Sequence, residues 1–425
     1  MINFIEYFNM AIFILLTLCY CYQFFYVFVT FFKKPKPIEV KKQHKYAFLI
    51  AARNESAVIG SLLDSIREQD YPAELIHVFV VADNCTDNTA EVCTQHGATV
   101  YIRENLEQVG KGYALDFAFK KIAADFGEDA FEGFFIFDAD NLLTKNYVTE
   151  MNKTFDAGYR IITSYRNSKN YDTNWISAGY SLWFLREAKY LNHSRMLLGT
   201  SCAVSGTGFL VSNEIVKRND GWHFHLLTED IEFSIASVIQ GETIGYCPSA
   251  HFYDEQPITF RQSWNQRLRW SKGFLQVFHT YGKRLSAKAL HGSFACYDML
   301  MTIAPAMFIS ILGVFVNLIF FLVGLALFPF MPIFQLMLQT TLISLLATTC
   351  NLYLLLFSVG LLTTITEWKE IHAKPYKKIL YAFTFPFFMF TYLPIAITAL
   401  FKKVEWTPIE HTITKSVDDI RQEKS

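Results

Sequence analysis

Two long windows without a single charged residue constrain this chain more than any other feature. Tyr7 to Phe32 holds 26 uncharged residues and Met299 to Thr366 holds 68, whereas about 20 apolar residues in a helix already cross a hydrocarbon core of roughly 30 Å. The first window is too long for a signal-peptide core, and no small-residue cleavage site follows it. The second carries Pro329 and Pro332 at its middle, which predicts two helices joined by a Phe-Pro-Phe-Met-Pro turn. Ile379 to Phe401 is a further candidate span, interrupted by Pro386 and Pro394.

Orientation follows from Lys and Arg near the ends of the spans. Lys33, Lys34, Lys36, Lys41 and Lys42 crowd the exit of the first helix. That end, and the polar block behind it, is expected to face the cytosol of a multi-pass plasma-membrane protein. The loop with Lys369, Lys374, Lys377 and Lys378 belongs on the same side. Lys402 and Lys403 then pose a parity problem, because a single crossing by 379–401 would put them outside. Either the rule breaks there or the proline-broken segment is re-entrant.

The 38 basic and 39 acidic residues nearly cancel, so the chain has no global basic field and no nucleic-acid partner is expected. Eight cysteines show neither CxxC nor the spacing of a disulfide frame, which reads as reduced cytosolic thiols.

Between the spans, residues 45–250 alternate short apolar runs with amphipathic ones, the pattern of strand and crossover helix in a mostly parallel α/β sheet. Candidate strands are Tyr46–Ala51, Val78–Ala82, Thr99–Arg103 and Phe134–Phe137, with helices such as Val58–Arg67 and Tyr113–Ala124 between them. Ligands of such sheets gather beyond the carboxyl ends of the strands. Three of the four strands run into polar residues there: Arg53-Asn54-Glu55, Asp83-Asn84 and Asp138-Ala139-Asp140-Asn141. Each alone could be a helix cap or a turn; together at one edge they predict a polar cleft.

Asp138-Ala139-Asp140 is the sharpest of these signals, because two carboxylates two apart at a strand end can offer oxygens to a divalent cation on a diphosphate. It is no EF-hand, since Leu143 and Thr149 stand where the loop needs Gly and Glu. Gly110-Lys111-Gly112 precedes a helix and reads either as a phosphate contact or as a plain loop. Thr200 to Phe209, with Ser205-Gly206-Thr207-Gly208, is a small-residue stretch that either lets a substrate approach backbone or makes a tight turn. Thr228-Glu229-Asp230 suits a general base tuned by burial and a neighbouring charge, and equally a helix start capped by Thr228. His223 and His225, two apart without a third ligand, read as ordinary surface or core residues. Gln266-Arg267-Leu268-Arg269-Trp270 lies in an amphipathic stretch, as membrane-surface anchors or as a diphosphate and sugar-stacking site.

In their order and rough spacing, Arg53-Asn54-Glu55, Asp83, Asp138-Ala139-Asp140, Thr228-Glu229-Asp230 and Gln266 to Trp270 resemble membrane-embedded family 2 glycosyltransferases. These are the processive, inverting enzymes similar to cellulose, hyaluronan, chitin and poly-N-acetylglucosamine synthases. The resemblance spans roughly residues 40–400. It implies a Rossmann-like GT-A catalytic domain on a transmembrane α-helical bundle with amphipathic interface helices. The implied organisation is an N-terminal transmembrane helix over 1–40, the catalytic domain over 41–255, interface helices over 256–297, transmembrane helices over 298–401 and a tail over 402–425.

The resemblance also implies roles. Arg53, Glu55 and Asp83, with Lys111 nearby, would hold the uridine of a UDP-sugar donor. Asp138 and Asp140 would engage the diphosphate and a Mg²⁺ or Mn²⁺ ion, Asp140 as the more direct ligand. Asp230, flanked by Thr228 and Glu229, would be the general base. Gln266, Arg267, Arg269 and Trp270 would bind the leaving diphosphate and stack the acceptor sugar, the Trp contributing ~1 to 3 kcal/mol if it stacks as on nucleobases. The expected product is a β-linked polysaccharide, best read as a glucan, exported through the lipid bilayer by an enzyme that could be a homo-oligomer. The alternatives are a non-processive enzyme making a glycolipid and an N-acetylglucosamine polymerase. One N-terminal span and few C-terminal ones depart from the best-known members, which places processivity and export on a weaker footing than the chemistry.

Overall fold

The apolar runs Tyr46–Ala52, Ile76–Asp83 and Gly133–Asp138 are buried on both faces, as strands sandwiched between helices must be. In the computed structural model, which describes residues 2–35, 40–327, 332–407 and 411–422, they are β1, β2 and β4 of one sheet. The others are β3 (Thr99–Arg103), β5 (Leu142–Leu143), β6 (Ile161–Ser168), β7 (Phe209–Ser212) and β8 (Ile244–Asp254), in the order β3-β2-β1-β4-β7-β6-β8-β5.

Alternate residues of β1 feed opposite cores. Ala47 and Leu49 meet Ala114, Leu115, Ala118 and Phe119 of the helix Lys111–Phe126. Tyr46, Phe48 and Ile50 meet Ile59, Leu62, Leu63 and Ile66 of the helix Ile59–Arg67, which repeat at helical spacing on one face. The expectation of a mostly parallel sheet holds for four of the seven strand pairings, β6 with β8 in the second half among them, and the other three are antiparallel. β1 pairs in parallel with β2 and β4, and β2 with β3. β7 then runs antiparallel between β4 and β6, and β5 antiparallel to β8. The short antiparallel strands lack the long apolar runs that marked the parallel ones.

Among the described residues, four helical segments are long and apolar enough to cross a membrane: Phe4–Phe32, Pro305–Ala326, Leu338–Thr366 and Pro375–Phe401. The chain is a membrane protein, and these helices leave large side chains such as Phe315, Leu354 and Phe383 outward. Within the bundle Asn9 donates to Asn317 and Ser344, the kind of interhelical hydrogen bond that joins helices in lipid. Asp298 accepts from Tyr22 and Tyr26 of the first segment and pairs with buried Arg195 at 2.7 Å. The turn expected at 328–332 falls largely outside the described residues, as does Lys36.

The two ends of the last segment bear on the parity problem. The last segment is two helices, Pro375–Phe390 and Tyr392–Phe401, broken at Thr391 with Pro386 inside the first. Near its start Lys377 donates to the Asp172 carbonyl at 2.7 Å, and near its end Lys272 donates to the Ala399 carbonyl at 3.0 Å. Beyond it, Thr412 and Ile413 donate backbone N–H groups to Glu255 of the catalytic domain. Both ends therefore lie on the catalytic side.

Candidate active site

The carboxyl ends of β1, β2 and β4 form one edge, and the sequence-predicted residues fan out from it. Asp83 and Arg103 are register partners on β2 and β3, and Arg103 Nη1 bonds Asp83 Oδ1 at 2.6 Å. Both side chains are under a tenth exposed. Burial raises the Asp83 carboxyl above its ordinary range, with Arg103 pulling the other way. On β1's exit, Asn54 adopts φ +59° and its side chain accepts from Thr86 N–H at 2.7 Å, tying the Arg53–Glu55 loop to the Asp83 loop.

The next cluster joins three segments. Lys111 Nζ lies 2.5 Å from Asp138 Oδ1 and donates to the Gly206 carbonyl at 2.7 Å. The Asp138 N–H donates to Thr207 Oγ1 at 2.9 Å, and Thr207 in turn bonds Asn141. Gly206, at φ +80°, leaves open the space where a Cβ would stand 3.8 Å from Asp230 Oδ2. The small-residue loop thus places the paired acids and Asp230 on one cleft. Gly112 has a different reason to be glycine: its Cβ would meet the Phe224 carbonyl at 2.1 Å, so the Gly-Lys-Gly stretch serves close packing as well as Lys111.

Glu229 and Asp230 open the helix Glu229–Gln240, where the amide dipoles favour acids. Thr228 stands at the N-cap position, yet its side chain makes no capping bond, and its buried Oγ1 has no protein partner. Gly273 of the long helix Phe260–Leu290 makes room for that side chain. Burial, together with the Asp230 charge, raises Glu229 to about 7, against Lys111 and Arg269. Burial raises Asp230 as well, opposed by the Ile231 amide, Lys111 and Arg269.

The QRLRW residues divide by helix face. Gln266 Oε1 is buried without a protein partner. Arg269, whose charge acts on Glu229 and Asp230, makes no ion pair or hydrogen bond among the described residues, so its five donors are free for an anion. Trp270 is held edge-on by Tyr180 and Phe184, with centroids 5.7 and 6.2 Å away. Arg267 does not join them. Fully buried, it donates to the Phe388 carbonyl at 3.0 Å and to Thr391 Oγ1 at 2.6 Å, with its guanidinium 4.3 Å from the Phe388 ring centroid. It satisfies the helix break of the last segment.

Asp140 is 4% exposed, and its Oδ2 accepts the Glu255 N–H at 2.7 Å. Burial alone would raise its pKa, but His411, Lys169, the Glu255 amide and Arg166 outweigh it and hold the carboxyl below its ordinary range. His411 comes from the C-terminal tail, where its Nδ1 lies 3.1 and 3.2 Å from the two Glu55 carboxylate oxygens. Against burial, Asp140 and Glu55 raise that imidazole to about 10, so it is a cation at neutral pH. Burial raises Glu55, and His411 offsets part of that rise. Trp406 lies under Arg53, 5.5 Å from its guanidinium carbon.

The sequence reading missed Arg103, Arg166, Lys169, Glu255 and His411. Lys169 and Glu255 directly follow the carboxyl ends of β6 and β8, so the strand-end rule would have reached them had those strands been recognised; no local pattern marks His411. Among the described residues no group of three or more His, Cys, Asp or Glu side chains could hold a metal ion by itself. Asp138 and Asp140 fit a Mg²⁺ or Mn²⁺ ion only as one or two ligands whose shell diphosphate oxygens and water complete, which is the usual habit of Mg²⁺. His223 donates to or accepts from nothing that suggests a metal, contacting only the Asp220 carbonyl at 2.8 Å, and His225 stacks on Tyr113.

Comparison with known proteins bears on the family and the fold. The β-monoglucosyldiacylglycerol synthase of Synechocystis sp. is 24% identical over 55% of this chain and 48% of its own length. The poly-β-1,6-N-acetyl-D-glucosamine synthase of Staphylococcus epidermidis is 25% identical over 58% of this chain and 60% of its own. The chain thus spans about half to three-fifths of the length of these relatives. In fold it is similar to a mannosyltransferase from Pyrobaculum calidifontis, solved with GDP-Man and Mn²⁺, at TM-score 0.55 and 17% identity over 93% of this chain and 99% of that one. The catalytic domain has the GT-A fold of glycosyltransferases. Residues 44–273, more than half of the chain, match the glycosyltransferase-like family 2, to which this protein belongs.

Proposed function

We propose that the protein transfers a hexose, best read as glucose, from a UDP-sugar to an acceptor hydroxyl at the membrane surface, with inversion at the anomeric carbon. The observation that carries this reading is the opening at Gly206 beside Asp230 Oδ2, one hydrogen bond from Lys111 and two from Asp138. Asp230 takes the proton from the acceptor hydroxyl as its oxygen attacks, so one in-line displacement converts an α-linked donor into a β-glycoside. Burial makes this carboxylate a stronger base than a free one at the same pH. Lys111 and Arg269 bring positive charge to the leaving diphosphate, Trp270 offers a ring for a sugar, and Arg53, Glu55 and Asp83 lie where the uridine of the donor would sit. A Mg²⁺ or Mn²⁺ ion held by Asp138 and Asp140 would supply charge neutralisation to that diphosphate. The catalytic domain is read as cytosolic and the membrane as the plasma membrane, from the Lys-rich exits of the spans.

Both a growing β-polysaccharide and a lipid fit the chemistry. The last segment, both ends of which meet the catalytic side, favours the lipid, because three other spans remain to form any export channel within one protomer. The experiment is incubation of the protein in vesicles with a panel of labelled UDP-sugars and Mg²⁺ or Mn²⁺, reading UDP release and the size of the labelled product. UDP release with a single-sugar lipid product is expected. A polymer would restore the synthase reading, and no UDP release from any donor would overturn the proposal.

A further inference from the structure

Three guanidinium groups are matched by a carboxylate: Arg103 by Asp83, Arg166 by Asp254 and Arg195 by Asp298. Fully buried Arg267 is satisfied by the Phe388 carbonyl and Thr391 instead, and part-buried Arg186 has no carboxylate partner among the described residues. Its Nη2 donates to neutral Gln23 Oε1 at 2.8 Å, its guanidinium carbon lies 5.1 Å from the Trp183 ring centroid, and among the described residues it has no ion pair. The carboxylate next along the chain, Glu187, already accepts from Ser205 Oγ at 2.5 Å. Burial holds the Arg186 pKa below that of free arginine, with Glu187 only partly restoring it.

The depth of this cation in the bilayer can be read from its partner. The Tyr20 hydroxyl donates to the Met301 carbonyl and accepts from Ala306 N–H, at the start of the span Pro305–Ala326. Gln23 is three residues further toward the catalytic domain, about 4.5 Å along a helix. Arg186 therefore sits in the headgroup layer. Trp183, Arg186 and Glu187 share one helix face by their spacing, and Glu187 holds Ser205, the neighbour of Gly206 that opens onto Asp230.

We propose that Arg186 binds the phosphate of an anionic lipid acceptor, whose headgroup hydroxyl is the one presented to Asp230. A guanidinium suits this task because its fork matches two phosphate oxygens. The inference rests on the glycosyltransferase reading above and adds the acceptor's chemical class to it. The same phosphate could instead belong to a bystander lipid that never accepts sugar, and the experiment separates the two.

Wild-type protein is reconstituted in phosphatidylcholine vesicles containing either phosphatidylglycerol or diacylglycerol of matched acyl chains, with labelled UDP-glucose. The expected result is label in a phosphatidylglycerol-derived glycolipid, formed at least tenfold faster than labelled diacylglycerol. Arg186→Gln raises KM for phosphatidylglycerol by about tenfold to a hundredfold, the loss of one charge-assisted bond, while kcat changes little; Arg186→Lys recovers part of it. Preferential labelling of diacylglycerol, including labelling that phosphatidylglycerol merely stimulates, overturns the acceptor assignment while leaving the glycosyltransferase reading intact. So does an unchanged KM in Arg186→Gln. Absence of UDP release in every vesicle overturns the underlying reading and this inference with it. The wild-type arm does not depend on the folding of any variant.

Discussion

Gly206 withholds a side chain 3.8 Å from the Oδ2 of Asp230. Its φ of +80° is also one that residues with a Cβ rarely adopt. Gly206→Ala therefore meets two obstacles, backbone strain and a methyl group in the space of the attacking hydroxyl. We expect it to lower kcat/KM for the acceptor by about tenfold or more, from a misplacement near the reacting atoms, with donor binding altered less. Steady-state kinetics with each substrate varied in turn separates the two effects.

The acid pair at the helix start sets a pH dependence. Burial and the Asp230 charge raise Glu229 to about 7, and burial raises Asp230, so the pair needs a higher pH than free carboxylates to lose its protons. Activity should fall as pH drops through the raised Asp230 value, above the ordinary Asp range, with apparent pKa values that belong to the pair. Stability moves in the opposite sense. A raised carboxyl contributes stability fully present below its unfolded value and lost as pH rises through the folded one, here between the ordinary Glu value of 4.5 and about 7. Asp230→Asn removes the charge that helps raise Glu229 and should move this step in the pH–stability profile toward the ordinary Glu value. A step that stays in place contradicts the coupling.

The buried pair Arg103–Asp83 makes a stability prediction. Removing the guanidinium strands a carboxylate under a tenth exposed, a change that typically costs about 3 to 5 kcal/mol. Arg103→Ala should lower the thermal midpoint in detergent and weaken UDP binding, whereas the pair replacement Arg103→Met with Asp83→Leu should recover much of the stability and none of the binding. Thermal unfolding and UDP titration of the two variants decide it.

Arg267 is expected to behave unlike Arg269. Arg267→Ala deprives the Phe388 carbonyl and Thr391 of a donor at the break in the last segment, at about 1 to 3 kcal/mol for the unsatisfied groups. Arg269→Ala, which removes no hydrogen bond or ion pair among the described residues, should leave stability within about 0.5 kcal/mol and raise KM for the donor. Thermal unfolding beside donor kinetics distinguishes the two arginines.

How far each of these residues could be read in advance depended on locality. Asp83, Asp138 and Asp140 were visible because a parallel strand is a continuous apolar run and the residue after it faces the ligand edge. Arg267 and Arg269 share a motif, and only three-dimensional packing shows that two positions along a helix turn one inward to Phe388 and leave the other in the cleft. The antiparallel strands β5 and β7 are two and four residues long, too short for a period to register, and they hide the sheet's mixed character. His411 lies 356 residues from Glu55, and no pattern in the sequence links them. The course of the proline-broken last segment is not legible, because hydropathy reports length in the bilayer and says nothing of which side a broken helix leaves by.

The central claim is that the Asp230 carboxylate accepts the acceptor proton. Asp230→Asn keeps the size of the side chain and removes its basicity, so the direct measurement is donor affinity and sugar transfer on the same purified variant. The account predicts UDP-sugar binding within a few-fold of wild type with transfer reduced by about 10² to 10⁴. Transfer at the wild-type rate by Asp230→Asn would contradict it.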